Sequence, residues 1–461
     1  MIPAVPSPPR SKPAPARASA HRVLRRVFEQ GAYADRALPS ETAALDARDR
    51  ALAMRIAYGA VQRKGTLDHL IEGLAERPVG KLDAPLLAAL RIGLYELLYL
   101  DGSPDYAVVA DTVELAKSSA RRGHGLVNAV MRRAAREGRG ALLDPLSDAT
   151  PATAAVRHSH PEWIARLWWD MLGPDSARAL MAQNNEPSEL ALRANTLVTD
   201  IDRLARELPV SSHRDPVLPE ALVLDQPLDV HATALWQGGA FLPQSRAAML
   251  VARALDPRAG ERVLDLCAAP GGKSTHLAAL MGDDGEVLAV EQSPARAREL
   301  TDTAARLRAG IVRVELGDAA RARAAGDLFD KVLVDPPCSG LGTLQSRPDL
   351  RWRVGPGGPA EMALVQARIL TSGAACLRPG GVLVYSTCTI SSTENERLIA
   401  DFLESHPDFA LDDLAAALPA PALSASLRSS RDSRVPTERL VLTLPHRDRT
   451  AGFFIARLRR G

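Results

Sequence analysis

Apolar side chains between residues 18 and 140 recur three and four positions apart, the spacing that gathers them on one face of an α-helix. Leu52, Ile56 and Ala60 show this spacing, and glycine or proline separates one such segment from the next. The pattern predicts an all-α bundle over residues 18–140. The preceding residues 1–17 are rich in proline, alanine and serine, a composition that predicts a disordered tail.

The pattern changes after a proline-containing linker. Residues 190–195 and 221–224 are short apolar runs typical of strands, and an amphipathic segment at 200–208 lies between them. We therefore predict a linker and a small α+β module over residues 141–235.

From residue 236 onward, short apolar runs bounded by turn residues alternate with helical segments, as in a parallel sheet whose strands are joined by crossover helices. This alternation predicts an α/β domain over residues 236–461. Residues 410–436, rich in alanine, proline, serine and arginine, are predicted to form a mobile insertion before the last two strands. The predicted strands are residues 262–266, 286–290, 311–316, 331–334, 381–385, 440–444 and 452–457.

The composition of the 461 residues, with 46% hydrophobic and 24% charged, excludes a wholly disordered or fibrous chain. The 57 basic and 55 acidic residues give a net charge of only +2, so the chain as a whole is not strongly basic. Basic residues are concentrated locally, because seven of them lie between Lys117 and Arg139 with the single acid Glu137. They form either a phosphate-binding surface or a solvated helix face.

No apolar run reaches the roughly 18 residues of a membrane span, and the N-terminus lacks the apolar core of a signal peptide. We therefore expect a cytoplasmic protein with no membrane partner. The four cysteines are too few for a disulfide framework in a chain of this length. Their gaps of 71, 38 and 12 residues match no zinc-binding pattern, so no metal site is predicted.

Residues 263–276 combine a buried strand, a glycine-rich turn and the start of a helix, an arrangement that binds ligands in open α/β sheets. A P-loop would need glycine at the position of Cys267, and the glycine spacing also fails to match a dinucleotide-binding fingerprint. Glu291 follows the second strand and Asp318 the third, and a carboxylate at such a position can accept hydrogen bonds from ribose hydroxyls. The sequence therefore predicts a ligand related to adenosine.

Two cysteines directly follow two predicted strands, in Asp335-Pro-Pro-Cys338 and in Thr387-Cys388. Consecutive strands of such sheets often neighbour one another, so we expect both thiols to face one cleft beside the glycine-rich turn. Cys376, in contrast, lies in an apolar helical segment and is predicted to be a small packing residue.

These motifs resemble those of the Nop/Sun family of RNA methyltransferases. The resemblance rests on Cys267-Ala-Ala-Pro-Gly-Gly-Lys273, Asp335-Pro-Pro-Cys338, Thr387-Cys388 and Glu394-Asn-Glu396. Residues 18–139 are similar to the RNA-binding domain of the antitermination factor NusB. The resemblance implies a Rossmann-like methyltransferase fold for the C-terminal domain, preceded by a NusB-like helical RNA-binding domain and the small α+β module.

The family forms 5-methylcytosine in RNA from S-adenosylmethionine, and the order of the domains resembles its small-subunit rRNA branch. The resemblance therefore implies S-adenosylmethionine as cofactor and 16S rRNA, or a small-subunit precursor, as partner of a monomeric enzyme. Two alternatives stay open: a tRNA cytosine-5 methyltransferase, and a non-catalytic NusB-like RNA-binding or antitermination protein. The pair of cysteine motifs argues against the second alternative, because a binding module has no use for a nucleophile.

Three roles in catalysis follow from the same resemblance. Cys388 would attack C6 of the cytosine, Cys338 would assist loss of the C5 proton and release of the product, and Asp335 would contact the base near N3. The resemblance also implies a set of cofactor-binding residues. These are Cys267, Ala268, Ala269, Pro270, Gly271, Gly272, Lys273, Glu291, Asp318 and Asp335.

Overall fold

The computed structural model describes residues 13–321, 326–418 and 434–461, which form two compact units. The helical unit contains the described residues up to Trp169, together with Ala177–Asn185 and Arg347–Arg353. The sheet unit contains Asp170–Ser176, Glu186–Ser346 and Val354–Gly461, as far as these residues are described.

The helical unit is built on the helices that precede the first strand. Their bounds are α1 Pro15–Glu29, α2 Ala34–Thr42, α3 Ala47–Gln62, α4 Lys64–Ala75, α5 Ala84–Tyr99, α6 Asp105–Ser119, α7 His124–Leu143, α8 Pro151–Arg157, α9 Glu162–Leu172 and α10 Pro174–Gln183. The core contains Leu24, Ile56 and Leu90, each fully buried, as the helical spacing of apolar residues predicts. Of the predicted tail, residues 1–12 lie outside the described residues.

One segment of the predicted α/β domain belongs to the helical unit. Arg347–Arg353 includes the fully buried Arg351, whose guanidinium donates to the backbone oxygen of Ser159 at 3.0 Å. The indole N–H of Trp352 donates to the backbone oxygen of Val61 at 2.7 Å. Buried polar groups need such partners, so these hydrogen bonds fix the segment among the helices.

The sheet unit contains a small four-stranded sheet with the order β2-β3-β1-β4, in which every pair is antiparallel. Leu192, Leu222 and Phe241 form part of its core. This sheet corresponds to the predicted α+β module, but its strand at residues 241–243 lies beyond the predicted boundary at residue 235, and residues 141–169 and 177–185 belong to the helical unit. Its elements are β1 Ala191–Ala194, α11 Ile201–Glu207, β2 Ser212–Arg214, β3 Ala221–Leu224, α12 Ala234–Gln237 and β4 Phe241–Pro243.

The second sheet of the sheet unit has eight strands. Their bounds are β5 Arg262–Leu266, β6 Glu286–Glu291, β7 Val312–Leu316, β8 Phe329–Val334, β9 Leu377–Thr387, β10 Phe409–Leu411, β11 Leu440–Leu442 and β12 Phe454–Arg460. The order is β10-β12-β9-β8-β5-β6-β7, and β11 pairs with another stretch of β12. The strands from β9 to β7 are parallel, and β12 runs antiparallel to β9.

Helices accompany this sheet, as expected for parallel strands buried on both faces. In the sheet unit they are α13 Arg246–Leu255, α14 Gly272–Leu280, α15 Pro294–Arg306, α17 Gly358–Ala375, α18 Glu396–Ser405 and α19 Pro445–Asp448; α16 Leu350–Arg353 belongs to the helical unit. The predicted fold class and the seven predicted strands are confirmed. Of the predicted insertion, residues 419–433 lie outside the described residues. None of the described helices is long and apolar enough to cross a bilayer.

Gly342 allows two backbone segments of the sheet unit to approach closely. Its N–H donates to the carbonyl of Cys388 at 3.0 Å, and its own carbonyl accepts from the N–H of Gly452 at 2.8 Å. A Cβ at Gly342 would lie 1.9 Å from the carbonyl oxygen of Gly452, a distance that no side chain can adopt. Only glycine fits without displacing the backbone.

We expect Gly342→Ala to lower the free energy of unfolding of the sheet unit by about 2–3 kcal/mol, because the methyl group overpacks the backbone contact. Urea denaturation measures this change. Gly355→Ala is the matched control, since no atom lies within 4 Å of the added Cβ, and it should change stability by less than about 0.5 kcal/mol. Equal effects of the two substitutions would contradict the close-approach argument.

Candidate active site

The carboxyl ends of β5, β8 and β9 lie at one edge of the large sheet. β8 pairs with β5 on one side and with β9 on the other, and Val334 lies opposite both Leu266 and Tyr385. The chain segments that leave these strands therefore start side by side. They are the glycine-rich turn and the two cysteine motifs that the sequence singled out.

The turn after β5 is held from two sides. Gly271 has φ +98°, a left-handed conformation that favours glycine, and a Cβ there would lie 2.5 Å from the Leu300 side chain. Arg296 donates to the carbonyl of Ala269 at 2.6 Å. The buried Arg193 of the small module donates to the carbonyl of Gly272, where α14 begins. The turn is thus held in place before any ligand binds.

Asp265 is a fully buried carboxyl in the middle of the apolar strand β5. Its Oδ2 accepts a hydrogen bond from the Ser274 hydroxyl at 2.6 Å, whereas its Oδ1 has no partner among the described residues. Burial raises the pKa of Asp265 to about 7, despite the hydrogen bond from Ser274 and the nearby Lys273 ammonium. An orphaned buried acceptor of this kind suits the hydrogen-bond donor of a ligand.

Lys273 and Asp335 form an ion pair with an Nζ–Oδ2 distance of 2.6 Å. The other oxygen of Asp335 accepts from the Ser386 hydroxyl at 3.0 Å. Burial opposes the charge of Lys273, but Asp335 outweighs it and raises the lysine pKa above its ordinary value. Both oxygens of Asp335 therefore have donors, and its carboxylate is held in one orientation.

The sulfur atoms of Cys338 and Cys388 lie 3.2 Å apart. The hydrogen bond with Cys388, together with burial, raises the pKa of the Cys338 thiol well above its ordinary value. Cys338 is therefore the member of the pair that keeps its proton. The Lys273 ammonium is close enough to Cys388 for the two charges to interact, and a nearby cation favours a thiolate.

The remaining two cysteines differ from this pair. Burial raises the pKa of Cys267 to about 12, and the residue lies in the turn with φ +65°. Cys376 is buried, and its thiol donates to the carbonyl of Ser372 at 3.3 Å. Neither environment favours a thiolate.

Two clefts open beside the sulfur pair and the ion pair. The first, of about 800 Å³, is lined by Asp265, the turn from Ala268, Lys273 and Asp335. The second, of about 490 Å³, is lined by Cys388 and by Phe453. Gln244 of the segment that joins the small module to α13 lines both clefts. Cys388 thus lines the second cleft, while Lys273 and Asp335 line the first.

Glu291 and Asp318 lie at the ends of β6 and of the adjacent β7, at the same sheet edge, but neither lines the 800 Å³ cleft. Glu291 is buried and accepts from the N–H of Ser293 at 2.8 Å. Asp318 is partly exposed and accepts from the N–H of Ala320 at 3.0 Å. Their carboxylates therefore shape the turns that follow their own strands.

Several residues around the clefts escaped sequence reasoning. The sequence could have indicated Asp265, because a carboxyl group is rarely buried inside an apolar strand without a specific role. Arg193 and Ser386 had none, since their partners are distant in sequence. Within the described parts of the chain, no group of three or more His, Cys, Asp or Glu side chains is arranged to hold a metal ion.

Three segments of the chain match known protein families. Residues 14–136 match the NusB family, and residues 160–231 match the ferredoxin-like domain of the RsmF/B-like methyltransferases. Residues 252–459 match the family described as 16S rRNA methyltransferase RsmB/F. The three matches follow one another in the order of the predicted domains.

The chain is also similar to whole proteins. It is 35% identical to the probable ribosomal RNA small subunit methyltransferase B of Bacillus subtilis (strain 168), over 90% of this chain and 92% of that protein. It is 34% identical to the protein of the same name from Synechocystis sp., over 96% of this chain and 99% of that protein. The crystal structure of PH0851 matches with a TM-score of 0.77 and 27% identity, over 98% of this chain and 100% of that one.

The buried Asp265 predicts a particular pH dependence of stability. Because the folded protein keeps a proton that the unfolded chain releases near pH 4, the free energy of unfolding falls as the pH rises from about 4 to about 7. The decrease attributable to this one carboxyl is on the order of 4 kcal/mol at most. Asp265→Asn has nearly the same size and cannot ionise, so we expect it to remove this decrease.

The measurement is the free energy of unfolding of the ligand-free parent and of Asp265→Asn between pH 5 and pH 8. The variant should gain stability relative to the parent as the pH rises, whatever its absolute stability. Parallel pH curves for the two proteins would show that Asp265 titrates normally.

Proposed function

The chain belongs to the 16S rRNA methyltransferase RsmB/F family, and from that premise we propose that it methylates C5 of a cytosine in small-subunit rRNA, with S-adenosylmethionine as methyl donor. The observation that carries the proposal is the sulfur pair, 3.2 Å apart, beside the ion pair of Lys273 and Asp335. Relatives named for the small ribosomal subunit favour rRNA over tRNA as substrate.

The residues around the 800 Å³ cleft fit S-adenosylmethionine. The orphaned Oδ1 of Asp265 is an acceptor for an ammonium group, and Glu291, at the end of the adjacent β6 but outside the lining of the cleft, would accept from the ribose hydroxyls. The turn from Cys267 to Lys273 supplies a backbone that a ligand can approach closely. When bound there, S-adenosylmethionine supplies an electrophilic methyl group.

Cytosine C5 is a poor nucleophile, and the role of Cys388 is to activate it. The thiolate adds to C6, a carbon–sulfur bond forms, and the π electron pair of the C5–C6 bond becomes available at C5. C5 would then form a bond to the methyl group as the bond between that methyl and the donor's sulfonium sulfur breaks, and the donor would leave as a neutral thioether. Asp335 would contact the base near N3, while Lys273 limits the accumulation of negative charge. The 490 Å³ cleft gives the base access to Cys388.

Cys338 acts at the end of the reaction. Once the sulfur of Cys388 is bound to carbon it no longer carries a negative charge, and the first cause of the raised pKa of Cys338 disappears. Cys338 can then lose its proton to solvent and take the proton from C5. The electron pair of that C–H bond restores the C5–C6 double bond and expels the thiolate of Cys388.

The target base must be unpaired or flipped out, because C5 and C6 are inaccessible to a thiol inside a helix. Affinity for RNA would come in part from the helical unit. A cleft of about 740 Å³ there is lined by the exposed Tyr106 and by Lys117, Arg132 and Arg136, together with the acids Asp105, Asp111 and Glu114, the last of which is paired with Lys117. An aromatic ring among cations suits a single-stranded nucleic acid.

The cysteine pair gives the first prediction from this proposal. Cys388→Ala should lower methyl transfer by more than about 10³-fold, because no other thiol can attack C6. Cys338→Ala should still form the carbon–sulfur bond but fail to break it, so the RNA adduct accumulates as a slowly migrating band on a denaturing gel. Labelled methyl transfer and the gel measure the two effects.

Cys376→Ala is the matched control and should leave turnover unchanged, because its thiol lies away from both clefts and contacts Ser372. Normal turnover of Cys388→Ala would refute the proposed mechanism. Free turnover of Cys338→Ala without adduct would remove its role in product release.

The cleft in the helical unit gives the second prediction. Arg132→Ala combined with Arg136→Ala should weaken RNA binding about tenfold at 0.15 M salt and reduce the slope of log affinity against log salt by about 2. Fluorescence anisotropy with a labelled rRNA fragment measures both. Arg25→Ala, which removes a guanidinium paired with Glu29, is the control and should leave the slope unchanged. An unchanged slope for the double variant would place the phosphate contacts elsewhere.

A further inference from the structure

A buried dipeptide lies next to both cysteine loops without lining either cleft. Glu394 and Asn395 follow β9 and precede α18, and at most 1% of either residue is exposed. The mechanism described above uses neither of them. A carboxylate and an amide buried this deeply need a full set of hydrogen-bond partners, so their partners reveal their function.

Glu394 holds the loop that carries Cys338. Its carboxylate accepts from the backbone N–H of Ser339 at 2.8 Å and also from the Ser339 hydroxyl. Gln366 of α17 donates its amide both to Glu394, at 3.0 Å, and to the carbonyl of Pro337, at 2.9 Å. The residues on either side of Cys338 are therefore tied to one carboxylate and to its amide partner.

Asn395 holds the loop that carries Cys388. Its Oδ1 accepts from the Thr387 hydroxyl at 2.6 Å, and its Nδ2 donates to the carbonyl of Thr389 at 3.0 Å. Thr387 and Thr389 are the two neighbours of Cys388 in the chain. One amide side chain thus binds the side-chain hydroxyl of the residue before the thiol and the backbone carbonyl of the residue after it.

The two loops are also linked to each other. The hydroxyls of Ser339 and Thr389 lie 2.6 Å apart, and the Thr389 hydroxyl accepts from the N–H of Leu341 at 3.3 Å. Because the Ser339 hydroxyl donates to Glu394, the Thr389 hydroxyl must donate to Ser339. The hydrogen bonds therefore run from the Thr389 hydroxyl to Ser339 and from the Ser339 hydroxyl to the carboxylate of Glu394.

We propose that Glu394 and Asn395 are positioning residues that hold the thiols of Cys338 and Cys388 at their 3.2 Å separation. The catalytic consequence of this arrangement rests on the proposed function, because it gives the two thiols successive roles at one base. Neither residue touches the base or the methyl donor in this account. Each acts through the backbone next to a cysteine.

Glu394→Gln tests the proposal with a nearly isosteric change. The NH₂ group of the new glutamine is a donor and would face groups that are themselves donors, such as the N–H of Ser339. The amide of Gln366 cannot flip to offer an acceptor without losing its hydrogen bond to the carbonyl of Pro337. We expect the Cys338 loop to move and kcat to fall about 10- to 100-fold, while the KM for the methyl donor stays within about twofold. The RNA adduct should accumulate as it does in Cys338→Ala.

Three further variants make the result decisive. Glu394→Asp keeps an acceptor and should recover part of the lost kcat. Asn395→Ala should slow adduct formation without trapping the adduct, because it loosens the Cys388 loop. Glu361→Gln, at an exposed glutamate of α17, should behave as the parent. Parent-like turnover of Glu394→Gln, or a KM for the methyl donor that rises in parallel with the loss of kcat, would overturn the proposal.

The result separates the two proposals. If Cys388→Ala keeps normal turnover, the proposed function fails; if Cys338→Ala accumulates the adduct and Glu394→Gln does not, the positioning role fails. A second measurement needs no methyl transfer. Oxidation by glutathione disulfide converts the two thiols to a disulfide and yields two molecules of glutathione, with a mass loss of 2 Da.

At one fixed concentration of reduced glutathione, the ratio of oxidised to reduced glutathione at which half of the protein carries this disulfide reports how closely the two thiols are held. Glu394→Gln and Asn395→Ala should require a ratio about tenfold higher than the parent, because looser loops lower the effective concentration of one thiol toward the other. Glu361→Gln should match the parent. The same ratio for all the proteins would overturn the proposed positioning role.

Discussion

The parallel register of β8 with its two neighbours is the constraint on which the candidate active site depends. Val334 lies opposite Leu266 of β5 and opposite Tyr385 of β9, so three loops leave the sheet at one level. Side chains alternate between the two faces of a strand, and a slip of one residue would send each of them to the opposite face. The glycine-rich turn and the two thiols would then no longer converge.

At that edge, the ion pair and the two thiols each have a partner that reduces the cost of burial, whereas Oδ1 of Asp265 has none among the described residues. Lys273 and Asp335 neutralise each other, Ser386 donates to the free carboxylate oxygen, and the two sulfurs share a hydrogen bond. Unpaired, any of these groups would be expensive in so buried a place. The raised pKa of the Cys338 thiol also distinguishes the two sulfurs, and in the proposed mechanism Cys388 is the nucleophile.

Much of the fold could be predicted because its signals are local. Apolar runs bounded by turns predicted the strands of the large sheet, and helical spacing predicted the bundle. Contacts between distant residues gave no such signal. Arg193 donates to Gly272, 79 residues away, and Arg351 donates to Ser159, 192 residues away. The pattern of apolar and polar residues therefore could not predict the partner of either arginine. The membership of Arg347–Arg353 in the helical unit was hidden for the same reason.

The sequence by itself determined the residue types and their places at strand ends, because a motif that follows a strand must leave the sheet at that strand's end. It thereby indicated which two of the four cysteines lie side by side, although only Cys388 of the two lines a cleft. Only the tertiary structure decided which thiol keeps its proton and what holds both loops, since these depend on the 3.2 Å between Cys338 and Cys388 and on hydrogen bonds such as that from Ser339 to Glu394. Spacing along a chain carries no information about such distances, because they arise when separate strands pair.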